Sequence, residues 1–285
     1  MYSDLWIEEK HSDYLGNRYK VEKVLFSGQS QFQKVDVVET KGHGKMLLND
    51  GLVMVTERDE FIYHDMIAHV PLFVHPNPQK VLVIGGGDGG TAREVLRHPK
   101  VKKCVMVEID EMVVNACKEH IPQTSSVFSH QLLDLKIEDG LKFVKETKEK
   151  FDVILVDSTD PIGPAQPLFG PEFYQDISNC LTDNGIVVSQ CESPHYEETM
   201  QTKLVSILNE IFPICTLYSY HNLTYPGGHW CFSFASKGLH PIHDFDKKRV
   251  IESNLEFEYY NEDIHVGAFA LPSFLKKRLS NLLKY

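Results

Sequence analysis

The first 60 residues alternate between short apolar runs and turn signals. Four segments read as strands, beginning with YKVEKVLFSG and ending with LVMVTERD, because they carry the aliphatic and aromatic residues typical of pleated, half-buried chain. Turns rich in Gly, Asn and Asp separate them, among them KGHG at 41–44 and NDG at 49–51. The pattern predicts a small antiparallel β domain over residues 1–60.

The pattern changes after this unit. Residues 60–74 have apolar positions near helical spacing, and HPNP at 75–78 ends that helix. Strands and helices then alternate, and the strands KVLVIG, CVMVEID, LDLKIEDG, FDVILVDS and GIVVSQ are short and apolar, as parallel strands covered on both faces are. This alternation predicts an α/β domain over residues 61–285, with a Rossmann-like, doubly wound, mostly parallel sheet of the methyltransferase-like kind.

The last third of the chain predicts elements that close the domain. A helix over about 196–211 precedes CTLYSYHNLTY and HWCFSFASKG, which form an antiparallel pair at the sheet edge. The tail FLKKRLSNLLKY reads as a basic amphipathic helix. We expect it to pack on the domain surface, because it is short for a membrane-binding helix.

Composition narrows the class of protein. The 29 basic and 40 acidic residues give a net charge of −11, which argues against a nucleic-acid partner and fits either a cationic ligand or a solubility surface. The six cysteines lack zinc-finger spacing and mostly lie in apolar runs, which indicates reduced thiols and no metal site. The N-terminal segment lacks a signal-peptide core, and no run approaches the ~20 apolar residues of a membrane span. The sequence predicts a soluble, cytoplasmic protein.

Candidate chemistry follows the ends of the predicted strands, where ligands of open α/β sheets bind. The first strand leads into GGGDGG at 85–90, whose glycines match GxGxxG and permit close backbone approach to a ligand. Asp88 inside this loop would repel phosphate. The loop therefore favours a ligand without phosphates that carries a cationic group.

The next two strands each deliver an acid. Glu108 ends the second strand, where a carboxylate suits the hydroxyls of a ribose, and Asp110 fits the cap of the following helix. Asp139 and Gly140 follow the third strand. Asp139 either accepts a hydrogen bond from an adenine amino group or caps the next helix, and the sequence leaves both alternatives open.

The fourth strand delivers two acids, Asp157 and Asp160, on a loop rich in Pro and Gly. Crowded carboxylates favour a cation between them, whereas the alternative is an ordinary turn or helix cap. The alternative is weaker because Asp88 and Asp157 are expected at the same rim of the sheet, with Asp160 nearby.

These motifs together resemble the spermidine synthase family of aminopropyltransferases. The resemblance rests on GGGDGG, VEID, DG and DSTDPIGPA in this order, with SQFQ, TERDEFIYHDM and NLTYPGG, and covers nearly the whole chain. It implies transfer of an aminopropyl group from decarboxylated S-adenosylmethionine, a co-substrate rather than a cofactor, to putrescine, yielding spermidine and methylthioadenosine. It also implies a homodimer or homotetramer assembled through the N-terminal β domain.

The resemblance assigns roles to individual residues. The implied donor-binding residues are Gln33, Asp88, Glu108, Asp139, Gly140 and Pro164. The implied polyamine-binding residues are Tyr63, His64, Asp88, Asp157, Asp160 and Tyr225. Asp157 is the implied general base, and Asp88 the residue that holds the aminopropyl amine. Some members carry Gln in place of His64, and a lone helical His is more often a solvent-facing or core-edge residue.

Three other functions remain as alternatives. A nucleoside-dependent methyltransferase shares the sheet and Glu108, but it needs room for a donor carboxylate that Asp88 opposes. A non-catalytic regulator that binds polyamines or nucleosides would not need Asp157 and Asp160 beside the donor. An NAD dehydrogenase is disfavoured by the acidic glycine loop. Cadaverine, agmatine and spermidine remain alternative acceptors, since pocket length decides among them.

Overall fold

The computed structural model describes residues 4–158, 168 and 170–284; Asp160 and Pro164, two of the predicted site residues, lie outside them. An antiparallel five-stranded sheet forms the N-terminal part, with its strands in chain order. These strands are β1 (Leu5–Ser12), β2 (Leu15–Gln29), β3 (Lys34–Thr40), β4 (Gly44–Asn49) and β5 (Leu52–Thr56). The hydrophobic pattern predicted β2 to β5 but missed β1, an edge strand whose partner among the described residues is β2.

Helix α1 (Glu60–Val74) joins the two parts of the chain and has the predicted bounds. Nearly every residue of α1 is buried, including the polar residues Glu60, His64, Asp65 and His69. Because burial of polar side chains is costly unless they are hydrogen-bonded, these four require partners on neighbouring elements. Those partners define much of the site.

A seven-stranded mixed sheet forms the second part, in the order β11-β12-β10-β9-β6-β7-β8. Its strands are β6 (Lys80–Gly85), β7 (Lys103–Glu108), β8 (Leu133–Ile137), β9 (Phe151–Asp157), β10 (Leu181–Gln190), β11 (Ile214–His221) and β12 (His229–Ser236). β6 to β10 pair in parallel, and β12 and β11 add an antiparallel edge. This confirms both the doubly wound core and the closing pair.

Helices cover both faces of this sheet. They are α2 (Gly90–Arg97), α3 (Glu111–His120), α4 (Pro122–Ser125), α5 (Gly140–Glu146), α6 (Pro171–Cys180), α7 (Glu198–Ile211), α8 (Lys247–Glu252), α9 (Glu262–Ala268) and α10 (Ser273–Arg278). Alternate residues of β6 enter opposite cores, with Val81 and Val83 on one side and Leu82 and Ile84 on the other. A parallel strand covered on both faces is therefore apolar at every position, as the sequence showed.

The C-terminal tail packs on the domain, although its helix is shorter than predicted. Helix α10 ends at Arg278, where the pattern had extended it to the last residues. Leu275 and Leu279 are fully buried, and Lys284 forms a backbone bridge with Cys215 of β11. The tail therefore completes the core beside β11.

The six cysteines are free thiols in the interior of the protein. All six cysteines are buried and unbridged: Cys104, Cys117, Cys180, Cys191, Cys215 and Cys231. Burial raises the pKa of each thiol, to about 12 for Cys215 and Cys231. Within the described residues, no helix is long and apolar enough to cross a bilayer.

Candidate active site

One cleft, where strands of the second sheet end, brings the predicted site residues together. The last residues of β6, β7 and β9 are Gly85, Glu108 and Asp157, and all three line it, together with residues of the N-terminal sheet. The predicted residues that line the cleft are Gln33, Tyr63, His64, Asp88, Glu108, Asp139, Gly140, Asp157 and Tyr225. Every predicted site residue within the described part of the chain therefore faces the same space.

The glycine loop after β6 lies directly against the end of β9. Gly85 and Gly86 have φ angles of 83° and 72°, a left-handed conformation that side chains rarely adopt. A Cβ atom on Gly85 would lie 2.1 Å from the carbonyl oxygen of Asp157, and the N–H of Gly86 donates to that oxygen at 2.8 Å. The glycines therefore fix the position of Asp157 relative to the loop that carries Asp88.

Two hydroxyl groups hold the carboxylate of Asp157. The Tyr63 hydroxyl donates to Oδ1 at 2.7 Å, and the Thr91 hydroxyl donates to Oδ2 at 2.6 Å. Burial and the adjacent Asp157 raise the pKa of Tyr63 well above its ordinary value, so its hydroxyl remains a donor. Sequence reasoning missed Thr91, although its place one residue after the glycine loop was a usable signal.

Asp88 and His64 lie next to each other in the cleft and form an ion pair. Asp88 Oδ1 accepts a hydrogen bond from the Gly90 N–H at 2.8 Å and lies 3.4 Å from His64 Nε2. Burial raises the pKa of Asp88, opposed by His64. Burial alone would lower the pKa of His64, but the carboxylates of Asp88 and Glu60 outweigh it and raise the pKa to about 9. His64 is thus buried rather than solvent-facing, and its carboxylate neighbours favour the protonated ring.

Glu60 and Arg93 support His64 from behind. His64 Nδ1 lies 2.5 Å from Glu60 Oε2, and the Arg93 guanidinium donates to both oxygens of Glu60, at 2.8 and 2.9 Å. Burial opposes ionisation of Glu60, but the bonds from His64 and Arg93 hold its pKa well below the usual range. Sequence reasoning found neither residue, because they are 33 positions apart and share no motif.

The opposite half of the cleft contains Glu108 and is supported by Asp110 and Gln33. Glu108 accepts a hydrogen bond from the Asp110 N–H at 2.8 Å, and burial raises the pKa of Glu108 to about 7. Asp110 accepts from the Met112 N–H at 3.0 Å, which confirms it as the cap of α3. The Gln33 amide donates to Asp110 at 3.1 Å. Gln33 therefore links the N-terminal sheet to the end of β7.

Asp139 and Tyr225 are placed by local hydrogen bonds. Asp139 accepts from the Leu141 N–H at 2.8 Å, so it caps α5 while also lining the cleft. Tyr225 donates its hydroxyl to the Met54 carbonyl at 2.7 Å, and its ring contacts Tyr63 edge-on. The loop that carries Tyr225 is thereby fixed to the N-terminal sheet.

Several cleft residues were not found from sequence. They are Glu9 and His11 from β1, Gln190 at the end of β10, and Trp230 in β12. Trp230 is buried and donates to the Pro226 carbonyl, and it also lines the cleft. Only Gln190 had a usable signal, since it ends a predicted strand.

Two groups of described residues have ligand atoms within 4.8 Å of one another, close enough to surround a small cation. In one, Asp65 accepts three backbone N–H bonds from residues 258–260, and His69 pairs with Glu94 at 2.9 Å. Its groups are therefore engaged in joining elements. The other is His64, Asp88 and Asp157, which line the cleft and suit an ammonium group.

Comparison with known proteins identifies the family. Residues 60–247 match the model of the spermine/spermidine synthase domain, and residues 5–57 match that of the spermidine synthase tetramerisation domain. The chain belongs to the polyamine aminopropyltransferases. Among curated aminopropyltransferases, that of Alkaliphilus metalliredigens is 49% identical over 98% of this chain and 99% of its own, and that of Clostridium perfringens strain 13 is 47% identical with the same coverage.

Solved aminopropyltransferase structures agree with the fold. A spermidine synthase in complex with the transition-state analogue AdoDATO superposes with a TM-score of 0.95 at 43% identity, covering 97% of this chain and 95% of its own. The Thermotoga maritima spermidine synthase gives a TM-score of 0.94 at 43% identity, covering 98% and 96%. The chain is therefore a transferase of polyamine biosynthesis with the predicted fold.

Proposed function

We propose that this aminopropyltransferase is a spermidine synthase, which transfers the aminopropyl group of decarboxylated S-adenosylmethionine to putrescine. The observation that carries the proposal is the meeting of Asp88 and Asp157 at the ends of neighbouring strands, where β6 and β9 pair Gly85 with Asp157. Two carboxylates in a half-buried cleft favour cationic ligands. Both the donor and the acceptor of this reaction carry ammonium groups.

The donor is proposed to extend along the cleft from Glu108 to Asp88. Glu108 would bind the ribose hydroxyls, while Gln33, Asp139 and Gly140 would surround the base. Pro164 remains a further predicted donor contact. Asp88 would bind the aminopropyl ammonium, and it would repel the carboxylate that ordinary S-adenosylmethionine carries at that end. The same residue thus explains both binding and discrimination.

The acceptor is proposed to bind between Asp157 and the aromatic rings of Tyr63 and Tyr225. The predicted residue Asp160 would complete this site, and His64, 3.4 Å from Asp88, would lie between it and the donor amine. Primary amines have pKa values near that of Lys, about 10.4, so the attacking nitrogen must first lose a proton. The positive sulfonium beside it disfavours the ammonium form and therefore assists that loss.

The proposed chemical step is one displacement. The lone pair of the acceptor nitrogen attacks the aminopropyl carbon next to sulfur, forming a C–N bond as the C–S bond breaks and the electron pair passes to sulfur. Methylthioadenosine leaves, and Asp157 as general base accepts the one proton that the acceptor ammonium loses to free this lone pair. Tyr63 and Thr91 would orient Asp157 for this transfer, since each donates to one of its oxygens.

A product assay tests the function. The enzyme is incubated with decarboxylated S-adenosylmethionine and putrescine, and methylthioadenosine and spermidine are detected by mass spectrometry. Cadaverine, agmatine and spermidine are compared as acceptors at equal concentration. Methyl transfer, or no product with any amine, would refute the proposal, whereas faster turnover with another amine would reassign the acceptor. Near-normal turnover of Asp157→Asn at every pH would remove Asp157 as the base.

The assembly and location follow from the same proposal. The match of residues 5–57 to a tetramerisation domain supports a homodimer or homotetramer built through the N-terminal sheet. Six buried, unbridged thiols support a reducing cytoplasm. The reaction needs neither a metal nor a cofactor, and its partners are two small cationic substrates rather than nucleic acid or membrane.

A further inference from the structure

His64 has a carboxylate facing each of its ring nitrogens. Nδ1 lies 2.5 Å from Glu60 Oε2, and Nε2 lies 3.4 Å from Asp88 Oδ1. An ionised carboxylate only accepts hydrogen bonds, so Nδ1 must carry hydrogen to bond with Glu60, and the negative charge of Asp88 beside Nε2 favours a proton there as well. The arrangement therefore favours the doubly protonated imidazolium, held at the place where a substrate ammonium is expected.

The ring of His64 lies directly against Gly90. A Cβ atom on Gly90 would lie 2.1 Å from His64 Cε1, so the ring occupies the space that a side chain there would need. His64 and Glu60 are 4% and 2% exposed, which leaves almost no solvent contact. Because the site is buried, a second cation beside His64 would favour loss of the ring's charge.

The two carboxylates that face the ring nitrogens of His64 each have a cationic partner without a substrate. Arg93 binds Glu60 through two hydrogen bonds and offsets its charge. The charge of His64 then remains to offset that of Asp88, while Asp157 and the hydroxyl of Tyr63 complete the surroundings. A substrate ammonium that reached Asp88 would be a second cation at one carboxylate, and like charges at this distance repel.

We propose that His64 is the resident cation of the donor-amine site and releases its Nε2 proton to solvent when the donor ammonium binds to Asp88. The N–H bond at Nε2 breaks, its electron pair remains on nitrogen, and that lone pair accepts a hydrogen bond from the ammonium. The Nδ1 proton stays on the bond to Glu60, which makes Glu60 a positioning residue that fixes the tautomer. This inference rests on the proposed function, because it takes the donor amine to bind at Asp88.

Proton release on binding can be counted directly. The wild-type enzyme is titrated calorimetrically with decarboxylated S-adenosylmethionine at pH 7.5, without acceptor, in phosphate and in Tris. Since these buffers differ in ionisation enthalpy, the difference in observed heat gives the number of protons released. We expect about one proton per donor bound, and none for His64→Gln. Glu60→Gln is expected to reduce the release, whereas His130→Gln, at an exposed turn, is the matched control with full release.

The outcomes separate this inference from the proposed function. Failure of the wild type to bind the donor would overturn both, whereas tight binding without proton release would overturn only the role of His64. Release that persists in His64→Gln would assign the proton to Asp88 and also overturn it. Nitrogen NMR of ¹⁵N-histidine-labelled wild type needs no variant. The His64 ring should change from doubly protonated to protonated at Nδ1 alone when the donor is added.

Discussion

Gly90→Ala tests the packing on which the amine site depends. The added Cβ would lie 2.1 Å from His64 Cε1 and 2.4 Å from Nδ1, whereas non-bonded carbon atoms prefer about 3.5–4.0 Å. The ring would therefore have to move by more than 1 Å and lose its bond to Glu60. Crowding of a packed interior costs about 1–3 kcal/mol, and loss of a hydrogen bond to a charged group about 1.5–3 kcal/mol. Alanine recovers up to about 1 kcal/mol in a helix, so we expect a loss of about 2–5 kcal/mol.

A double-mutant cycle isolates that contact. Urea unfolding is measured at one protein concentration for wild type, Gly90→Ala, His64→Ala and the double variant, because assembly makes stability depend on concentration. Removal of the His64 ring opens the space, so Gly90→Ala should cost less than about 1 kcal/mol in the His64→Ala background. Equal losses in the two backgrounds would refute the reasoning.

Three further predictions concern catalysis, recognition and pH. Tyr63→Phe removes a hydrogen-bond donor from Asp157 and should lower kcat by about 10-fold or more. The hydroxyl of Tyr225 bonds to a backbone carbonyl instead, so Tyr225→Phe should change kcat far less, and steady-state kinetics compares the two variants. Asp88→Asn should weaken donor binding by about 10- to 100-fold and reduce discrimination against S-adenosylmethionine, and equal discrimination by calorimetry would contradict the role of Asp88. The pKa of His64 is raised from about 6.5 to about 9, so its protonation should stabilise the folded state by an amount on the order of 3 kcal/mol. This stabilisation should be complete below about pH 6.5 and lost as the pH rises through 9. Unfolding of wild type and His64→Gln at pH 6 and 9.5 measures that loss.

The hydrophobic pattern predicted those helices and strands whose structure depends mainly on their own sequence. Helix α1 has the predicted bounds, because a helical period ends at HPNP, and the parallel strands appear as apolar runs. β1 was missed because LWIEEKHS is rich in charge, as an edge strand can be. α6 was also missed, although Phe173, Tyr174, Ile177 and Cys180 have helical spacing and are its buried residues. The edge strand takes its structure from a neighbour that pattern alone does not show.

The candidate site likewise contains residues that the sequence predicts and residues that it does not. Strand ends and glycine loops locate Asp88, Glu108 and Asp157, because chain direction in a parallel sheet brings these acids to one edge. The residues behind them act through contacts between separate helices and strands. Thr91 had its place after the glycine loop as a signal, whereas the spacing of the Glu60–Arg93 pair carries no period or motif. The sequence could therefore predict the acids that line the cleft, whereas the groups that pair with them or hold them in place are seen only in the folded structure.

The buried cysteines offer a chemical reporter of unfolding. A thiol reacts with alkylating reagents as thiolate, and burial both hides these six groups and raises their pKa values. Short pulses of iodoacetamide should therefore leave the native chain unmodified and label it only as regions open. Because Cys104 lies in β7, Cys117 in α3 and Cys231 in β12, peptide mapping would show which parts of the domain open first.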